Sequence, residues 1–172
     1  MLRAFKSQLK LMAMDPTDAF ADHLRRRVGA QEAIRHEQPL RNMILVMPEM
    51  LMQIRAWMEE PGMSTELRRL QGFVLTYLYH PRDILPEEHN GLFGYLDDAF
   101  LVSLAFRRTL IERRGLGYDS SLERELVEQL PDWLRHVREV IPQEAGQIEG
   151  MLDELLMGKT RLYEDVMARA RQ

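Results

Sequence analysis

The chain has 172 residues, a mass of 20.3 kDa and a net charge of −4. With no cysteine, disulfides, thiol catalysis and Cys-ligated zinc or iron–sulfur centres are excluded. The net acidity gives the chain as a whole no electrostatic drive toward nucleic acid or an anionic membrane, and a 45% apolar content is enough to bury one sizeable core.

Helical periodicity dominates and no stretch alternates as a strand, so the expected fold is all-α. The reading is one domain over 1–172, a bundle of about seven helices with a central apolar hairpin at about 64–114. A core spans 48–114, and a helical extension over 118–172 packs on that core or on a partner. Residues 2–14 form a short basic amphipathic helix, which suits docking on the protein itself or peripheral contact with a membrane. Asp15-Pro16 predicts a helix start with Asp15 as cap, and Gly29 its end. Another helix follows from about Gln31, with Pro39 and Pro48 as interruptions. Met43, Met47, Met50, Met52 and Met58 form a methionine cluster, read first as ordinary core and second as an adaptable interface.

Pro61-Gly62 predicts a break, and Ser64 or Thr65 a cap for the next apolar helix. The longest apolar run, Ala99 to Phe106, is far short of the ~20 residues that span a bilayer. It belongs to a buried helix from Leu96 to about Arg114. Gly115-Leu116-Gly117 reads as a linker, and Ser120 with Glu123 as a capping box. Pro131 and Pro142 are expected to divide the remainder. Ile148, Leu152, Leu155, Leu162 and Val166 keep heptad-like spacing. With no export signal, the expected location is a bacterial-type cytoplasm.

Charge is unevenly distributed. Residues 1–41 carry +3, 42–114 carry −2 and 115–172 carry −5. A basic start and an acidic end suit packing of the two against each other, within one chain or between copies.

One constellation stands out. Tyr79-His80-Pro81-Arg82-Asp83-Ile84-Leu85-Pro86-Glu87 is followed by Gly94-Tyr95-Leu96-Asp97-Asp98-Ala99. Over residues 79–99 this resembles the YkvA-like family, bacterial helical proteins of unknown function. Tyr79, Pro81, Asp83, Pro86 and Glu87 match the first half of the family pattern, and Gly94, Asp97 and Asp98 the second. The spacer from Pro86 to Gly94 is one residue longer than the family's, with His89-Asn90-Gly91 in place of an apolar Ile-Pro. The resemblance implies helices around a structured turn and implies no reaction.

Physically, the segment from Arg82 to Asp98 carries a net −4, and such crowding is repulsive unless offset. Three arrangements offset it. Backbone amides and arginines such as Arg68, Arg69 or Arg107 can hold the carboxylates. A divalent Mg, Mn or Ca ion can bind Asp83, Glu87, Asp97 and Asp98, with His80 or His89 assisting. A protein partner can cover the acidic surface.

No catalytic motif is present. Gly158-Lys159-Thr160 lacks the upstream glycine of a phosphate loop, there is no Glu-x-x-His pair, and the arginine clusters have no aromatic platform, so no nucleic-acid partner is expected. His136, with Asp132 one turn before and Glu139 three residues after, reads as a surface ion pair, and His23 and His36 as isolated. The leading expectation is a non-enzymatic interaction or scaffolding module with a protein partner or as a homo-oligomer, without cofactor. The alternatives are a metal-binding protein or metal-dependent enzyme using the 83–98 turn, and a membrane-associated protein.

Overall fold

The computed structural model describes residues 2–78, 84–113 and 120–158, apart from the side chain of Glu88. All regular structure among them is helical, as the periodicity predicts. Helix α1 (Leu2–Met14) buries Leu9 and rests Leu2, Phe5 and Met12 on the core, while Lys6 ion-pairs with Glu49. Leu11 and Met14 face outward.

The predicted start at Asp15-Pro16 is four residues early. Asp15 instead closes a turn on itself, its Oδ1 accepting from the Thr17 amide at 2.8 Å and the Thr17 hydroxyl at 2.7 Å. Helix α2 (Phe20–Val28) begins only after that turn and ends at Gly29, whose φ of +85° breaks the helix as expected.

Helix α3 (Ala30–Met58) overrides two predicted interruptions, for both Pro39 and Pro48 lie inside it. Each proline removes one ladder hydrogen bond. The buried stripe of Leu40, Met43, Ile44, Met47, Met50, Leu51, Ile54 and Trp57 keeps the helix continuous through both. Met43, Met47 and Met50 are thus core, whereas Met52 is 40% exposed.

After the Pro61-Gly62 break, Ser64 caps α4 (Thr65–Tyr77) by accepting from the Leu67 amide at 3.2 Å. A single turn, α5 (Glu87–Asn90), runs into a 3-10 segment (Gly91–Tyr95) and then α6 (Leu96–Arg113). Thirteen of the eighteen residues of α6 are buried, and it packs on α3 and α4 and on the two helices that follow. The predicted hairpin arms, α4 and α6, do lie against each other, with Gln71 donating to Thr109 at 3.3 Å between them. Arg113 closes the far end of α6, ion-paired with Glu60 and stacked 5.1 Å from the Trp57 ring.

Ser120 caps α7 (Ser121–Val140), accepting from the Glu123 amide at 3.2 Å. Pro131 does not divide this helix, because Leu126, Leu130, Trp133, Leu134 and Val137 keep one buried stripe across it. Pro142 does start α8 (Pro142–Leu156), at a position whose N–H needs no helical acceptor. The heptad-like stripe is spent internally, since Ile148, Leu152 and Leu155 are buried against the core. Leu162, Val166 and the Gly115-Leu116-Gly117 linker lie outside the described residues. The basic start meets the acidic end within one chain, through Arg27 with Glu144 at 2.8 Å and Arg35 with Glu139.

Candidate functional site: the turn into α6

The turn is organised around Asp97, the second residue of α6, which is fully buried. A single carboxylate oxygen, Oδ2, gathers three donors: the Leu85 amide at 3.1 Å, the Ile84 amide at 3.2 Å and the Tyr77 hydroxyl at 3.3 Å. These come from the end of α4 and from the bend before Pro86, so one side chain ties both to α6. The other oxygen, Oδ1, is buried without a hydrogen bond. Burial pushes the carboxyl up to about 7 and nearby Glu87 adds to the rise, while bonds from the Leu85 and Asp98 amides and Tyr77 oppose it. Desolvation is the largest of these effects and outweighs the hydrogen bonds.

Gly94 has an equally plain role. A β-carbon there would sit 2.6 Å from Glu87 Cα and 3.0 Å from Glu87 N. The 3-10 segment therefore packs its backbone directly on α5, which only glycine permits. Pro86 caps α5 in an extended conformation and its carbonyl accepts from Asn90 Nδ2 at 2.8 Å.

Aromatic residues dock the turn on the first two helices. Phe93 meets Phe20 edge-on at 5.7 Å and stacks on His23 at 5.2 Å, and Tyr95 contacts Phe5 at 5.7 Å. Asp18 completes the junction: Oδ1 accepts from the Leu92 amide at 3.3 Å, and Oδ2 pairs with Arg41 at 3.1 Å. Asp18 carries no motif and reads in the sequence only as an acid near a helix start. Its role depends on a partner 74 positions away, which periodicity does not reveal.

The sequence-predicted residues separate accordingly. Asp97 and Asp98 are buried at the start of α6, Glu87 is half-buried, and His89 is exposed beside Asp15 and Thr17 in a shallow hollow of about 270 Å³. Tyr79, Pro81 and Asp83 lie outside the described residues. None of the anticipated arginines reaches Asp97; Arg68 donates instead to the Glu60 carbonyl at 2.9 Å.

Among the described residues, metal-ligating side chains converge elsewhere. His36, His136 and Glu139 place one ligand atom each within 4.8 Å of one another. This corrects the reading of His36 as isolated and of His136 as a surface residue. Both rings are buried, with Nδ1 facing Nδ1 at 2.8 Å. The signal in the sequence was His136 with Glu139 three residues on, sharing one face of α7.

No curated protein and no solved structure gives a significant match. Residues 68–104, which run from α4 through this turn into α6, match the family described as Protein of unknown function (DUF1232), the family of the YkvA-like proteins.

Proposed function

We propose that the protein is a non-enzymatic helical module that assembles with a second copy of itself through the groove between α4, α6 and α8. The observation that carries this reading is the groove's charge arrangement. It encloses about 360 Å³ over an apolar floor of Leu70, Leu104, Leu152 and Leu156. Arg107 and Arg108 stand on the α6 wall, and Asp153 on the α8 wall together with Glu149, which also pairs with Arg138 of α7 at 2.6 Å. Ile111, 39% exposed, adds an apolar contact at the rim. A two-fold axis running along the groove sets each wall against the opposite wall of its partner, which makes this arrangement self-complementary. The turn into α6 then serves as a structural latch that fixes α6 and, through it, the groove.

Charge reversal tests the proposal. Wild type is expected to sediment as a dimer at 100 µM, on the order of the concentrations where modest interfaces associate. Arg107→Glu with Arg108→Glu makes both walls acidic, and Glu149→Arg with Asp153→Arg makes both basic. Each doubly substituted protein is expected to be monomeric, and an equimolar mixture to recover the dimer. A monomeric wild type, or reversal without effect on the dimer, contradicts the reading.

A further inference from the structure

His36 and His136 bring two imidazole nitrogens together in the core, from α3 and α7. His136 Nε2 faces Asp132 Oδ2 at 3.2 Å, and His36 Nε2 faces Glu139 Oε2 at 3.6 Å and Glu32 Oε2 at 3.8 Å. The 3.2 Å contact favours an N–H on His136 Nε2, whereas 3.6 and 3.8 Å lie beyond hydrogen-bond range and do not set the His36 tautomer. An N–H on His36 Nδ1 serves the 2.8 Å contact as an ordinary hydrogen bond; with that proton on Nε2 instead, two Nδ1 lone pairs converge and can hold a cation.

Both rings are buried between α3 and α7, and a borderline divalent metal suits such a nitrogen pair. Zinc binds imidazole nitrogen at roughly 2.0–2.1 Å, which places two such nitrogens about 3.0–3.4 Å apart, so the rings need open by only a few tenths of an ångström. Glu139, one turn from His136 on α7, supplies an oxygen within 4.8 Å of a ring nitrogen of each histidine. Asp132, on the outward nitrogen of His136, is the kind of outer-shell partner that orients a metal-bound histidine.

From this geometry we infer that His36, His136 and Glu139 form a metal site for Zn²⁺ or a similar borderline divalent ion, clamping α3 to α7. Arg35 pairs with Glu32 and Glu139, and Arg135 with Asp132 and Glu139, so ligation draws Glu139 out of its arginine contacts. These two arginines temper the affinity. The site is separate from the 83–98 turn and independent of the proposed dimer.

Untagged full-length protein, stripped with chelator, tests the inference by titration with ZnCl₂. One equivalent is expected to bind, and at a hundredfold excess over Kd the melting temperature is expected to rise by about 5–10 °C. His36→Gln and His136→Gln are expected to abolish that rise, while His89→Gln in the acidic turn retains it. Where a histidine variant folds poorly, ¹⁵N spectra of the wild-type imidazoles decide: zinc is expected to shift the Nδ1 resonances of His36 and His136. Absence of stoichiometric binding, binding that survives both substitutions, or Nδ1 resonances that move only on acidification overturn the inference.

Discussion

Asp97→Ala is expected to lower the unfolding free energy by about 3–5 kcal/mol, read from urea denaturation followed by circular dichroism. The substitution strands three donors at once, the amides of Ile84 and Leu85 and the hydroxyl of Tyr77. Each buried, unpaired polar group costs roughly 1–3 kcal/mol, and only some will recover water at the turn's edge. For a domain whose whole stability is about 5–15 kcal/mol, that is a large share. Asp97→Asn is the informative companion. Its amide oxygen still accepts from both backbone amides, and it carries no charge to bury, so the loss at pH 7 is expected to stay below about 1.5 kcal/mol.

Gly94→Ala is expected to be nearly as severe, at about 3 kcal/mol, by a different mechanism. The new methyl meets Glu87 Cα at 2.6 Å and Pro86 C at 3.2 Å, both backbone atoms that no rotamer change can move. Accommodating it requires α5 to separate from the 3-10 segment, which also pulls on the amides that Asp97 holds. Gly146→Ala in α8 is the control. A β-carbon there meets nothing within 4 Å, and removing a helix-interior glycine is expected to stabilise by about 0.5–1 kcal/mol. Equal effects at the two glycines would show that the packing at Gly94 is not what glycine serves.

The helices were legible where apolar spacing and caps agree. Ser64 and Ser120 cap α4 and α7 as their spacing predicts, and Leu96 to Arg113 is the buried helix that its apolar run indicates. Proline misled three times, at Pro39, Pro48 and Pro131. A long buried stripe outweighs one missing hydrogen bond, and that stripe gains its value only from neighbours that are distant in sequence. Asp15 misled in the opposite sense, since a side chain that can cap a helix can equally satisfy its own turn.

The candidate turn was legible as a place, and less so as an arrangement. Gly94, Asp97 and Asp98 were identified by their pattern. That Asp97 gathers loop amides and Tyr77, rather than an arginine, depends on a chain path that no local rule specifies. The His36–His136 contact joins positions 100 residues apart and has no spacing for a motif to reveal. Asp18, which links α2, α3 and the 3-10 segment, was invisible for the same reason.

The central claim is that Asp97 is a buried latch of the fold, and the pH dependence of stability tests it most directly. With its carboxyl raised to about 7, the native state binds a proton that the unfolded chain has already released above about pH 4. Between those values the native state holds more protons than the unfolded one, so stability is expected to fall as pH rises, and to level off above pH 7. Urea denaturation of wild type and Asp97→Asn from pH 4 to 8 isolates this contribution from the other titrating groups. Wild type is expected to lose on the order of 3 kcal/mol relative to Asp97→Asn across that range. Parallel profiles for the two proteins would contradict the account, because a carboxylate that titrates alike folded and unfolded is not the buried group on which the turn is built.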